Sequence, residues 1–417
     1  MKKYSDYKNS SVPWIGEIPT TWNLSQLRYV IECLDGKRVP VELSLRADMQ
    51  GNIPYWGAGN IVDYVDKALF DEELVLLGED GAPFFDHTRP VAFHITEPIW
   101  ANNHIHVLRI KENADPKYIV YVLNAVDYKE YINGAILNKL TQSAMNRIKI
   151  PLPPLSVQKK ISKHLDKKVA AINTLLTQKE SLVTLLQEKR TTTINNAVTR
   201  GIKTTAKMYE SSVDWLGQIP AHWQILTNHQ LFAERNIKCT EPDAVLLSVT
   251  KHLGVILQSQ ADELNLATVA PAETTEGYKV VHKGDLVMNI MRAKDGSYGI
   301  SGYDGVISPA YCIYYPRQEI NPQYLYYLFK TPMYMEIFKN YSTGIAEHRM
   351  RLYPVNFFKI PAVVPPLEEQ NEIVAYLDKR VKDIDELISL TQQQIEKLKE
   401  YRQSVISEVV TGKVAVE

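Results

Sequence analysis

Two stretches of the chain place an apolar residue at steps close to four, three, four, three. The first runs through Leu165, Val169, Ile172, Leu176, Val183, Leu186, Ile194 and Ala197. The second runs through Leu377, Val381, Ile384, Ile388, Ile395, Leu398, Val405 and Val409. This spacing keeps one stripe of a helix turned toward a partner helix, so each stretch predicts a long helix with a coiled-coil seam. No Pro or Gly interrupts Ser156 to Ala197. Upstream, Pro151, Pro153 and Pro154 end whatever precedes, because the ring fixes φ and removes a donor, and Pro365 and Pro366 do the same for the second helix. Even the polar breaks coincide: Lys179 matches Thr391 and Arg190 matches Arg402. A lone helix of about forty residues, roughly 60 Å long at 1.5 Å per residue, would leave its stripe wet. The simplest partner for each is the other, in an intramolecular antiparallel pair holding globular segments at opposite ends. The competing reading, two unrelated surface helices packed on their own domains, does not explain the shared register.

Between the helices the pattern changes. Residues 23–150 are rich in Gly, Pro, Asn and aromatics, with short strand-like runs at Glu73–Leu77, Val91–Ile95 and Ile105–Ile110 and a helix over Pro116–Tyr131. Residues 224–360 read similarly, with strands at Gly284–Ile290 and Tyr311–Tyr315 and a helix over Pro322–Phe338. The predicted class is α+β: two mixed α/β domains joined by two long antiparallel helices, with a pseudo-twofold internal repeat.

The repeat extends beyond the helices. Ser10–Trp22 (SSVPWIGEIPTTW) returns at Ser211–Trp223 (SSVDWLGQIPAHW), an offset of 201 residues. Pro153, Pro154, Leu155, Gln158, Ile161, Leu165 and Asp166 return as Pro365, Pro366, Leu367, Gln370, Ile373, Leu377 and Asp378, an offset of 212. Between these blocks the halves do not resemble each other, so one frame carries two unlike inserts. The resulting division is 1–152, an N-terminal domain; 153–200, the first long helix; 201–222, a linker with the repeated opening motif; 223–362, a second domain; and 363–417, the second long helix.

At 417 residues the chain has room for two cores. It carries 47 basic and 48 acidic residues, so no global basic excess advertises a nucleic-acid partner and any such role must rest on local patches. Cys33, Cys239 and Cys312 are too few and too scattered for a disulfide framework or a zinc pattern. The N-terminal residues are polar and no stretch approaches eighteen apolar residues, which leads us to expect a soluble, cytoplasmic protein. An enzyme reading finds little support. The nearest approach to the Asp/Asn-Pro-Pro-Tyr/Phe motif of a methyltransferase is Asn321–Tyr324 (NPQY), which reads as a helix cap followed by Pro. No Gly-rich cofactor or phosphate loop is present, and no nuclease framework surrounds Glu79–Asp80 or Asp86–His87.

Taken together, WIGEIP at 14–19 with Trp22, WLGQIP at 215–220 with Trp223, the helix starts IPLPPL (150–155, with Gln158) and IPAVVPPLEEQ (360–370), and the helix ends NNAVTRG (195–201) and SEVVTG (407–412) resemble the specificity (S) subunits of type I restriction–modification systems. The resemblance covers essentially the whole chain. It implies two target recognition domains, each reading one half of a split double-stranded DNA site, with the helix pair as a ruler for the unread gap. It also implies a non-catalytic chain clamped by two methylation subunits, with restriction subunits as further partners and no membrane. No cofactor is expected on this chain; S-adenosylmethionine, and Mg and ATP for restriction, are expected on the partners. Outside this class, the alternative is a coiled-coil scaffold displaying two protein-binding domains.

Base edges are read by amide, basic, acidic and hydroxyl side chains that a fold aims into a groove. In the first domain the candidates are Tyr55, Trp56 and Asn60 in a Gly-rich aromatic loop; Glu79 and Asp80 in a polar turn, with His87 and Arg89 behind it; and Asn102, Asn103, His104, Asn138, Lys139, Gln142 and Ser143. In the second domain they are Arg292, Lys294, Ser297 and Tyr298, then Ser342, Thr343, His348, Arg349 and Arg351. This last segment occupies the same place before the long helix as 138–147. The competing readings are ordinary turns, caps and a solvated basic face. The first long helix is locally basic, with Lys159, Lys160, Lys163, Lys167 and Lys168 at its start, suited to phosphate, to an acidic partner or simply to water.

Overall fold

The computed structural model describes residues 3–132, 138–203, 205–266, 274–345 and 349–416. The chain forms two compact units, residues 1–182 with 391–417, and residues 183–390. These do not follow the linear division expected above, because each unit takes part of both long helices.

In the first unit a four-stranded antiparallel sheet is built from β1 (Ile31–Cys33), β2 (Leu74–Gly78), β3 (Ala92–Ile95) and β4 (Ile105–Ile110), in the order β1-β4-β2-β3. Helix α1 (Pro116–Leu123) is capped by Asp115, whose side chain accepts from the Tyr118 amide. It is shorter than the predicted Pro116–Tyr131, and the reason is Asn124. That side chain accepts from the amides of Val91 and Ala92 and donates to Ala92 O, fixing the chain to β3 where the helix would otherwise continue. The first long helix, α2 (Leu155–Arg200), begins in this unit.

The second unit repeats the plan. Strands β5 (Phe232–Glu234), β6 (Leu286–Asn289), β7 (Tyr298–Ile300) and β8 (Tyr311–Pro316) form an antiparallel sheet in the order β5-β8-β6-β7. The order matches that of the first sheet, although the two inserts share little sequence. Helix α3 (Pro322–Phe329) is capped by Asn321, as the sequence indicated. The single helix predicted over Pro322–Phe338 is in fact two. Pro332 lacks the N–H needed to continue α3, and Thr331 caps a new helix over Pro332–Tyr341. The second long helix is α4 (Leu367–Val410).

The repeated blocks build the same parts twice. Residues Tyr7–Asn9 pair with Glu17–Pro19, and Met208–Glu210 with Gln218–Pro220. The strand before each long helix, Lys149–Leu152 or Pro361–Val364, pairs with Asn23–Gln26 or Gln224–Thr227. Within the segment expected as a linker with the repeated motif, residues 208–220 thus form a folded hairpin, with Ile219 fully buried. In the first unit the C-terminal turns of α4 add Ile406, Val409 and Val410 to a core holding Ile15, Ile18 and Trp22. In the second, the C-terminal turns of α2 add Ile194, Ala197 and Val198 to a core holding Ile219 and Trp223. Each long helix ends in a left-handed glycine, Gly201 (φ 77°) or Gly412 (φ 75°), close against Trp223 or Trp22.

The antiparallel seam is present in each unit. Leu165, Ile172, Leu176 and Ile395 are buried in the first, with Val169 and Leu398 half-buried. Leu377, Val381 and Ile384 are buried in the second, with Val183, Leu186 and Ile388 half-buried. Leucines off the stripe, such as Leu175, Leu185 and Leu390, stay exposed. The matched arginines make matched contacts: Arg190 Nε donates to Asp385 at 2.7 Å, and Arg402 Nη1 donates to Asn173 at 2.8 Å. Leu165 and Leu377 also belong to the domain cores, so the seam merges with them.

Three repeated side chains join each domain to its helices. Gln158 accepts from Asp115 N and donates to Pro153 O; Gln370 accepts from Asn321 N and donates to Pro365 O. Tyr121 donates to Asp166, and Tyr327 to Asp378. Tyr118 donates to Pro151 O and Val410 O, and Tyr324 to Val363 O and Val198 O. Replacing Tyr118 or Tyr324 by Phe removes a buried donor shared by two carbonyls. Each change is expected to cost about 1–2 kcal/mol in urea unfolding, and no measurable loss would show that the lock is dispensable. Among the described residues, no helix is long and apolar enough to cross a membrane.

Candidate nucleic-acid interface

In the first unit the candidate loops converge beyond the end of β2. Glu79 N donates to His104 O at 2.9 Å, and Glu79 O accepts from Leu140 N at 2.6 Å. Asp80 and Lys139 bridge as a short antiparallel pair. Asn102 N donates to Trp56 O, and the Asn102 side chain accepts from His104 N. Asn103, His104, Asn138, Lys139, Gln142 and Ser143 are exposed around this point, and so is Asn60. Gln142 and Ser143 open a short helix capped by Thr141.

Several predicted contacts lie elsewhere. Tyr55 and Trp56 are buried: Tyr55 stacks on Trp100 and receives the Val41 amide, and Trp56 packs on Phe93. They carry the loop rather than face solvent. The turn holding His87 and Arg89 is exposed but tied to the helix pair, where Thr88 O accepts from Arg402 at 2.7 Å. Glu79 is buried in an ion-pair network that sequence reading missed. Arg38 donates to its carboxylate at 2.6 Å and to Ile105 O at 2.8 Å, and Lys139 lies 3.1 Å from the other oxygen. Asp80 pairs with His104 and approaches Lys139.

Behind the network lies His106, with one ring nitrogen 2.6 Å from Asp35 Oδ2 and the other 2.8 Å from Leu140 O. Burial pushes the Asp35 carboxyl up. Hydrogen bonds from His106 and the Val107 amide, with the charges of His106 and Arg38, outweigh that effect and hold it below the usual range. Cys33, Asp35 and His106 bring their donor atoms within 4.8 Å of one another, the spacing of a metal set. The chemistry does not fit a cation: both imidazole nitrogens are engaged, a guanidinium sits beside the carboxylate, and burial pushes the Cys33 thiol up to about 11. The trio is a hydrogen-bonded lock that fixes Leu140 and with it the neighbouring Lys139, which bridges to Asp80. Because the thiolate is the reacting form, Cys33 is expected to alkylate on the order of a hundredfold slower than a free thiol at pH 8, recovering the ordinary rate in urea. Ordinary reactivity in the native protein would contradict the lock.

In the second unit Arg292 is exposed at the start of a tight turn, and Lys294 pairs with Asp295 at 2.9 Å. Ser297 and Tyr298 are buried: Ser297 O accepts from Asn289 N, and the Tyr298 hydroxyl donates to Phe329 O, so both hold the turn instead of facing outward. Ser342 is buried and donates to Phe338 O. Thr343 and Arg351 exchange backbone hydrogen bonds, and Leu352 N donates to Ile290 O at 2.9 Å, joining this pair to the start of the 291–299 loop. Arg349 and Arg351 are exposed. His348 lies outside the described residues. Ile290 directly follows β6 as Glu79 directly follows β2, and Leu352 precedes the strand before the long helix as Leu140 does. The two units therefore set their candidate loops at the same place on equivalent sheets.

The family model described as the type I restriction modification DNA specificity domain matches residues 19–185 and 260–400. The chain belongs to this family. It is similar to a putative type I restriction enzyme specificity subunit of Haemophilus influenzae, 27% identical over 90% of this chain and 93% of that one. It is also similar to the putative MjaX specificity subunit of Methanocaldococcus jannaschii, 24% identical over 97% and 96%. A solved chain, described under the structural basis underlying complex assembly and conformational transition of the type I R-M system, aligns with TM-score 0.60 at 16% identity. That alignment covers 95% of this chain and 99% of the other and supports the fold. Both segments matched by the specificity-domain model contain candidate loops: 55–60, 79–104 and 138–143 in the first, 291–299 and 342–351 in the second.

Proposed function

We propose that this chain is the non-catalytic DNA-reading subunit of a type I restriction–modification complex. Each recognition domain reads one half of a split duplex site, and the α2–α4 pair sets the unread spacer. The observation that carries the reading is the duplicated apposition of Leu140 with Glu79 and of Leu352 with Ile290, which puts two chemically different polar loops on one repeated scaffold. A duplicated scaffold with divergent loops suits two different half-sites.

In the first domain the reading side chains are Asn60, Asp80, Asn102, Asn103, His104, Asn138, Lys139, Gln142 and Ser143, with amides suited to adenine edges. In the second they are Arg292, Lys294, Thr343, Arg349 and Arg351, suited to guanine edges and phosphate. Tyr55, Trp56, Glu79, Ser297, Tyr298 and Ser342 position these loops from beneath. Two methylation subunits carrying S-adenosylmethionine complete the cytoplasmic complex, and restriction subunits using Mg and ATP join it. The near-neutral charge of this chain leaves much of the phosphate contact to those partners. A gel-shift titration with the methylation subunit present tests the reading. Sequence-specific duplex binding that weakens with salt is the expected result; its absence at every salt concentration would leave the protein-binding scaffold as the better account.

A further inference from the structure

We propose that Lys330 is a positioning residue for the second half-site, clamping the 291–299 loop to the turn between Thr250 and Gly254; this rests on the DNA-reading role assigned to that loop above. Lys330 follows the last turn of α3, where Pro332 prevents the helix from continuing. Its ammonium donates to Gly296 O at 2.5 Å and to Lys251 O at 2.8 Å. It also stands 4.7 Å from the ring centroid of Tyr298 and 5.3 Å from that of Tyr326. Two segments far apart in sequence are therefore held by one cation over two aromatic faces.

The segments are already pressed together. A Cβ on Gly299 would come within 2.7 Å of Gly254 Cα, so Gly299 is needed for the close approach, while Gly254 is needed for its left-handed backbone, φ 67°. Gly296 itself is left-handed, with φ 84°, and its carbonyl is the one that Lys330 takes. Among the described residues Lys330 has no carboxylate partner. Its contacts are two carbonyls and two rings, so it orients backbone rather than neutralising an acid. Methionine would fill the same space without the cost of burying an ammonium, but would join neither carbonyl.

The surroundings add a titration. Burial, and then the charge of Lys251, push the Lys330 ammonium down to about 8. The other charged groups facing the same cavity of about 250 Å³ are His252 from the turn, Asp295 from the loop and Arg190 from α2, the last held by Asp385. A neutral amine keeps weaker hydrogen bonds and loses the cation–aromatic attraction. The burial cost outweighs both, because the ammonium is held below the value of a free lysine, so the closed clamp is not lost as pH rises through 8.

The test compares Lys330→Met and Lys330→Arg with the wild-type chain, assembled with its methylation subunit, by hydrogen–deuterium exchange and by selectivity at each half-site. Lys330→Met is expected to speed exchange of the 251–254 and 296–299 amides about tenfold while β5 and β8 stay protected. It should also cut second-half-site discrimination by about tenfold and leave the first half-site intact. Lys330→Arg, with the cavity to accommodate it, should restore both. Unchanged loop exchange in Lys330→Met, or a rise spread through the whole unit, would overturn the clamp. Local loosening without loss of selectivity would overturn its role in specificity. If the wild-type complex itself shows no half-site selectivity, the DNA-reading role fails, and the exchange measurements still decide whether Lys330 is a clamp.

Discussion

Removing one heptad from each long helix, Lys179–Leu185 with Leu390–Glu396, is expected to shorten the unread spacer by about three base pairs while leaving both half-site sequences unchanged. Seven residues span about 10.5 Å of helix, close to three steps of B-DNA at about 3.4 Å each. The paired deletion preserves the antiparallel register marked by Arg190 with Asp385 and Arg402 with Asn173. It also retains the stripe, because the removed unit is one full repeat. Affinity for the original site should fall on the order of a thousandfold, since only one half can be engaged at a time, and should return on a site with the shorter gap. Selection of bound sequences from a randomised pool reads both effects. Altered half-sites, or an unaltered gap, would remove the helix pair from its role as a ruler.

Replacing Arg38 by Ala is expected to have the next largest effect, and it falls on one half-site only. The guanidinium reaches Glu79 at 2.6 Å, Ile105 O at 2.8 Å and Asp35 at 3.4 Å, with little exposure on any of these side chains. Without it the two largely buried carboxylates retain Lys139, His106 and the Val107 amide as partners. A loss of about 3 kcal/mol from the first unit is expected in urea unfolding, because breaking a buried pair leaves a charge uncompensated. The Glu79–His104 and Glu79–Leu140 backbone contacts should loosen with it, so discrimination at the first half-site falls while the second is kept. Lysine at this position should rescue only partly, since it cannot span the carboxylates and the carbonyl as a planar fork. Equal loss at both half-sites would show that the network supports the fold and not the loop.

What the sequence made legible was what is periodic or repeated. The seam of α2 and α4 was visible because helix pairing needs only local spacing, and the matched arginines proved to make matched contacts. The common sheet order of the inserts was not visible. Strand pairing such as β4 with β2, or β8 with β6, is non-local, and the two inserts reach it with different residues. In sequence Tyr55, Trp56 and Tyr298 look like surface residues, because an aromatic in a Gly-rich loop looks the same whether it points out or in. The structure points them inward, leaving Asn60 exposed beyond the first pair and Arg292 exposed ahead of Tyr298. Arg38, His106 and Lys330 had no local signature, since their partners lie in other loops. Tyr118 and Tyr324 did have one: DPKY at 115–118 and NPQY at 321–324 are a further repeat of the frame, each opening a helix whose tyrosine joins the strand before a long helix to the end of the other long helix.

Two unlike domains on one frame should read two unlike half-sites. Sequencing the methylated positions in the genome of a host that carries this chain with its methylation subunit tests that most directly. The predicted result is a split motif, two short defined sequences separated by a gap of fixed length and free sequence. A contiguous motif, or no sequence-specific methylation from an active complex, would contradict it.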